Sequence, residues 1–217
     1  MLRQCILSGM NQSYRNFVHS VNITLDDDAE TKDLSPLYDD LYNENLLVNY
    51  SANAKFGFSH FNNMNTIRFV PNYNEYDLFV KMDDDDIYKK DYVKNIVDHF
   101  VKYPDVHIAS TRIMHQLNGY DVFSRGDGHL YDNLGANPEG TDYAMPSTFA
   151  FKRRALHSII NLTEKDVCGH DDLMWRVAWA KDNLKHSLVD NSLNVVWNIH
   201  GNNASVGYFL RIKENKE

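Results

Sequence analysis

Two cysteines in 217 residues, Cys5 and Cys168, are too few for a disulfide framework, and isolated thiols fit a reducing compartment. Long apolar runs are missing too. Nowhere do about 18 apolar residues follow one another, so the sequence offers no membrane span, and the apolar stretch within MLRQCILSGMNQS is too short for a secretory signal. Positive charge is scarce: 22 Lys and Arg against 30 Asp and Glu give a net charge of −8. With no polybasic tract, the chain repels nucleic-acid phosphates and anionic lipid heads. These absences predict a cytoplasmic protein with no nucleic-acid partner and at most peripheral membrane contact. Several catalytic signatures are absent as well: no Walker A loop, Gly-x-Gly-x-x-Gly, His-Glu-x-x-His, Cys-x-x-Cys or Gly-x-Ser-x-Gly.

What is present is an ordinary globular composition, 43% hydrophobic and 24% charged, with no break that marks a linker, so one domain is expected. RQCILSG reads as a first strand turning at Gly9. Phe17, Val21 and Leu25 recur at i, i+4 and i+8, which predicts a helix over SYRNFVHSVNITL. NLLVNYS reads as a strand and KFGFSHFNNMNTIRFV as a helix. YDLFVKM has the continuous apolar character of a strand buried on both faces of a parallel sheet. DYVKNIVDHFVKY puts Val93, Ile96, Val97, Phe100 and Val101 on one helical face. DVHIAST is a strand, and the Gly-, Asp- and Asn-rich stretch from Asn118 to Ser147 reads as loops and short hairpins. STFAFKRRALHSII is a strand feeding a helix, HDDLMWRVAWAKDN a helix, and SLNVVWNIHGNN a late strand. The alternation predicts an α/β fold with a mainly parallel central sheet flanked by helices, whose ligands bind beyond the carboxyl ends of strands.

Four consecutive aspartates, Asp83 to Asp86, follow the YDLFVKM strand at such an end. In extended backbone Asp83 and Asp85 point one way, about 7 Å apart, and together suit a divalent cation, or a cation and a sugar hydroxyl. Without a cation they repel each other. A plain turn with Asp86 capping the next helix is the structural alternative. Asp26 to Asp28, in polar surroundings, reads as a solvated surface. An EF-hand does not fit, because its Gly and Glu positions fall on Tyr88 and Lys94, or on Lys89 and Asn95.

Asp171 and Asp172 open the helix of HDDLMWRVAWA, where one aspartate serves as a cap and a second exceeds that need. A carboxylate there can accept a proton from a hydroxyl being activated. His200 stands just past the last strand, as a structural residue or as a ligand completing a cation site with Asp85.

Together these residues resemble glycosyltransferases of the GT-A fold, most closely family 2, from about Asn49 onward. YSANAKFGFSHFNNMNTI is similar to the segment before the nucleotide-sugar strand, YDLFVKMDDDDIYKKDYV to that strand and its Asp-x-Asp motif. The stretch from Ser147 to Ala180 resembles the acceptor-side strand, helix and acidic motif, with Arg176 where the family commonly has Arg, and IHGNNAS the late His segment. The usual Pro-Thr-Tyr-Asn-like opening turn is replaced by LSGMNQ, and no strand ends in Asp-Asp-Gly-Ser.

The resemblance implies a Rossmann-like GT-A domain over 1–217, with a nucleotide-sugar-binding half at 1–115 and a loop-rich acceptor-binding and catalytic half at 116–217. It implies a metal-dependent inverting hexosyltransferase-like enzyme, of the kind used in polysaccharide biosynthesis, moving sugar from a nucleotide-diphosphate sugar to a glycan or lipid-linked acceptor. Asp83, Asp85, Asn53 and Ser8 would bind the donor. Asp85 and His200 would hold Mn²⁺ or Mg²⁺, and Asp172 or Asp171 would be the base. A nucleotidyltransferase of the same fold and a non-catalytic carbohydrate- or cation-binding module are the alternatives.

Overall fold

A computed structural model of the chain describes residues 2–25, 46–52, 59–83, 86–111, 114–118, 121–125, 148–166, 171–189, 191 and 194–199. The first half runs α1 (Leu2–Met10), β1 (His19–Leu25), β2 (Leu46–Ala52), α2 (Ser59–Phe69), β3 (Leu78–Val80), β4 (Ile87–Tyr88), α3 (Tyr92–Lys102) and β5 (Ile108–Thr111). It continues with β6 (Met114–Asn118), β7 (Asp121–Arg125), β8 (Ala150–Lys152), α4 (Arg153–Ile159), α5 (Asp171–Lys181), β9 (His186–Val189) and β10 (Val195–Ile199). The class is α/β, as expected.

The strands form three ladders in the orders β1-β2, β4-β10-β6-β7 and β3-β8-β5-β9. Pairing is mixed. β1/β2, β5/β9 and β6/β10 are parallel, whereas β8 runs against both β3 and β5, and β4/β10 and β6/β7 are also antiparallel. The reversed direction of β8 carries Arg153, at the head of α4, back to the entry of β3. There its guanidinium donates to the carbonyls of Tyr76 and Glu75 and pairs with Asp77 at 3.0 Å. The strand of YDLFVKM, β3, is therefore antiparallel to its neighbour and not parallel, and its three residues are half-buried.

Two cores sandwich this sheet. Leu78 and Val80 pack with Cys5, Tyr88, Tyr92, Val93, Ile96 and Phe100. Phe79, one residue out of phase, packs in the second core with Phe149, Phe151, Leu156, Trp175 and Trp179. The period-2 alternation of a strand thus assigns α3 to one face and α5 to the other. α3 keeps the predicted face except at its end, where Val101 is 76% exposed.

Two early elements differ from the sequence reading. RQCILSG is helix α1, with Cys5, Ile6 and Gly9 buried along one side against β4 and β1. A Cβ on Gly9 would come within 2.3 Å of the His19 ring, so glycine permits this close crossing. SYRNFVHSVNITL contains strand β1, not a helix. Phe17, Val21 and Leu25 stand four apart, a spacing that one face of a strand satisfies as well as a helix does. All seven residues from His19 to Leu25 pair in register with β2, and that ladder decides the outcome.

Candidate functional site

The Asp83–Asp86 run begins three residues past the end of β3 and leads into β4. Asp83 is fixed from four sides. Its amide donates to Tyr88 Oη at 2.7 Å, and its carbonyl accepts from the Cys5 thiol at 3.0 Å and from the Asp86 amide at 3.4 Å. Its carboxylate lies 2.8 Å from the Lys81 ammonium, the side chains being 34% and 15% exposed. Lys81 and Asp83 are two residues apart, which in extended backbone puts both on one side. Asp86 is 1% exposed and turned inward; the residue at the head of α3 is Asp91, which makes no side-chain cap bond. The helix-cap role expected for Asp86 is therefore not observed.

Beneath this turn lie Tyr88 and Tyr92, with ring centroids 4.8 Å apart. Burial, and then the negative charges of Asp83 and Asp86, push both phenols well above their ordinary range, so they stay protonated. Ser8 ties α1 to this floor, its hydroxyl donating to the Cys5 carbonyl at 2.8 Å and accepting from the Tyr88 amide at 3.2 Å. Gln12, fully buried, donates to the Ser8, Tyr88 and Lys89 carbonyls and accepts from the Val93 amide. The sequence reading did not single out Cys5, Gln12, Lys81 or Tyr88 as site residues. The Lys-x-Asp spacing could have revealed Lys81; Tyr88 is only five residues from Asp83, while Cys5 reaches the turn, and Gln12 the strand and helix after it, by contacts about 80 residues long in sequence.

The remaining candidates fall at the ends of ordered elements. α5 opens at Asp171 with Asp172 beside it. That helix is anchored one turn later, where Trp175 Nε1 donates to His60 Nδ1 at 2.7 Å, and again where Trp179 Nε1 donates to the Ala155 carbonyl at 2.9 Å. Asn53 follows β2 and His200 follows β10 directly, while Asp85 sits between Asp83 and Asp86; these three lie outside the described residues. Among the described residues no three His, Cys, Asp or Glu side chains form a metal cluster, and no helix is long and apolar enough to cross a membrane.

Two solved structures share this arrangement. One is that of Staphylococcus aureus TarS 1-349, with a TM-score of 0.64 and 14% identity over 91% of this chain. The chain has the TarS fold. The other is TarS 1-349 in complex with UDP, with a TM-score of 0.63 and 16% identity over the same share. TarS is a family 2 glycosyltransferase, and the resemblance drawn from the aspartate run and the acidic helix holds for the fold. The chain spans 56% of the length of either structure. No family model and no curated protein matches it.

Proposed function

We propose that the chain is a glycosyltransferase of the GT-A type, transferring a sugar from a nucleotide-diphosphate donor to a hydroxyl of a glycan or lipid-linked glycan. The observation that carries this reading is the clamped aspartate turn after β3, in a fold shared with a protein whose structure was obtained in complex with UDP. An aspartate whose carboxylate pairs with Lys81 and whose backbone is held by Tyr88 and Cys5 is pre-positioned, and pre-positioning lowers the cost of ordering a ligand.

In this reading Asp83 accepts hydrogen bonds from ribose or sugar hydroxyls of the donor, Asn53 is a further donor-binding residue, and Ser8 braces the turn through Tyr88. Asp85 and His200 would hold a divalent cation; carboxylate and imidazole suit Mn²⁺ or Mg²⁺. Such an ion supplies charge stabilisation for the departing diphosphate. Asp172, or Asp171 beside it, takes the proton of the acceptor hydroxyl. The hydroxyl oxygen forms the new bond to the anomeric carbon while the carbon–oxygen bond to the diphosphate breaks, giving inversion. The anchoring of α5 by Trp175 and Trp179 supports a base held at fixed distance.

The test is release of nucleoside diphosphate from UDP-, GDP- and dTDP-sugars with Mn²⁺, in the wild type and in Asp172→Asn and Asp171→Asn. One donor should be turned over, and loss of the true base should lower turnover by about 10²–10⁴-fold. No release from any donor, with both variants equal to wild type, refutes the enzyme.

A further inference from the structure

The end of the β3-β8-β5-β9 ladder opposite the aspartate turn carries a different surface. β5 and β9 begin there and β8 ends there, since Ile108 pairs with His186, and Lys152 with Leu78 at the entry of β3. Lys102, Lys152, Arg154 and Lys185 gather around these strand ends from three separate segments. Shared neighbours join them into one patch: the Lys102 ammonium stands 5.1 Å from the Tyr103 ring, while that of Lys152 stands 5.4 Å from the Phe100 ring and donates to the Pro104 carbonyl at 2.6 Å. Lys185 pairs with Asp105 at 2.6 Å, and its amide donates to His107 Nδ1 at 3.3 Å. Burial, and then the charges of Arg154 and Lys152, lower the His107 pKa, so both cations stand near that ring. Asp105 offsets one charge of the four, and neighbouring Arg153 is matched by Asp77. Lys102 and Arg154 are exposed and in no ion pair among the described residues.

Apolar side chains stand out within this patch. Val101, in the last turn of α3, is 76% exposed, and Tyr103, just past the helix, is 42% exposed. The spacing that turns Val93, Ile96 and Phe100 inward includes Val101, yet the fold leaves that residue in solvent. A lone apolar residue at a surface needs no explanation. Two of them among four ammonium and guanidinium groups have the composition of a membrane interface, where Lys and Arg reach phosphates while apolar and aromatic side chains enter the headgroup layer. A soluble polyanion would meet the cations and gain nothing from Val101. The net charge of −8 does not oppose such a contact, because at physiological salt charges more than about 8 Å away are largely screened. No polybasic tract announces the patch, since folding assembles it.

We propose that this face docks on an anionic phospholipid bilayer, with Val101 and Tyr103 entering the headgroup layer and Lys102, Lys152, Arg154 and Lys185 meeting its phosphates. Docking itself does not depend on the glycosyltransferase reading. Its consequence does: Asp83 lies five residues past Leu78, up to about 16 Å at strand rise, so the docked protein holds its donor site on the side away from the bilayer and extends glycans that stand off from it.

The test is co-sedimentation of the full chain with vesicles of equal parts phosphatidylglycerol and phosphatidylcholine, and with vesicles of phosphatidylcholine alone. Binding should require the anionic lipid and be released when salt rises from about 0.1 M to about 1 M, which shortens the Debye length to about 3 Å. Lys102→Gln with Arg154→Gln should weaken binding by about 25-fold, a factor of about five for each cation. Val101→Ser should weaken it at least about threefold. Lys89→Gln with Lys90→Gln, the same charge change at the other end of α3, should leave it unaltered. All five positions are exposed, so the variants keep the core. No binding to either vesicle, equal binding to both, equal loss in the two double variants, or indifference to Val101→Ser overturns the proposal. So does binding of polyglutamate or inorganic polyphosphate as tight as that of the vesicles and lost in the Lys102 and Arg154 variant, which would make the occupant an acidic polypeptide or a soluble polyanion. Donor turnover enters none of these readouts, so its absence would sink the catalytic reading and leave the docking result standing.

Discussion

The ladder β3-β8-β5-β9 and the pair β1-β2 are built from similar residues in different surroundings. The first rests on a close cluster of rings: Phe149, Phe151, Trp175 and Trp179 lie with centroids 5.2–6.3 Å apart, and both indole N–H groups are satisfied. The second is bonded along its whole length on one side and borders a cavity on the other. Burial of large rings therefore stabilises the first ladder directly, while α1, which crosses the start of the β1-β2 pair, is tied to the aspartate turn and β4 by Gln12, Ser8 and the Cys5 thiol as well as by the core around Tyr88 and Tyr92.

Truncation at the centre of the ring core and at its partly buried margin should differ most visibly. Trp175, 1% exposed, should cost about 3–5 kcal/mol as Trp175→Ala, a large share of an ordinary domain's stability. Ile67→Ala, which removes atoms already facing a cavity, should cost no more than about 1–2 kcal/mol. Urea unfolding of both variants measures the difference, and equal losses would remove the distinction. Comparable in size, Tyr88→Phe leaves the part-buried Asp83 amide without its acceptor, at about 1 kcal/mol. It should weaken nucleotide binding more than turnover, a split that a KM-against-kcat comparison reads.

Acid should act on both halves. Burial lowers His19 to about 4, and burial with the Arg176 charge lowers His186 to about 3, against about 6.5 unfolded. Between those values the unfolded chain binds more protons, so stability is full above about pH 6.5 and falls as pH drops toward 4. A loss of a few kcal/mol, at most about 5, between pH 7 and pH 4.5 is expected from the pair. His19→Gln should flatten the donor-side share, and an unchanged slope in that variant would mean that His19 titrates as it does unfolded.

The stretch from 148 to 181 was the more legible in sequence. HDDLMWRVAWA and STFAFKRRALHSII announce α5, β8 and α4 because their apolar spacing matches one structure only. On the donor side the spacing was ambiguous: Phe17, Val21 and Leu25 fit either period, and CIL in α1 looks like strand until Tyr88, Tyr92 and His19 supply the surface that a helix packs against. Asp83 was legible because charge after an apolar run is locally visible. Its clamp was not, since Cys5 reaches it from the other end of the domain. The direction of β8 was equally hidden, being set by Arg153 meeting the entry of β3.

The central claim is that the aspartate turn receives a nucleotide diphosphate through a divalent ion. Calorimetric titration of UDP and GDP into the wild type and Asp85→Asn, each with and without Mn²⁺, tests it most directly. The account predicts that one nucleotide binds the wild type with an affinity raised at least tenfold by Mn²⁺, and that Asp85→Asn abolishes the increase. Binding indifferent to Mn²⁺, or an increase that survives Asp85→Asn, contradicts it.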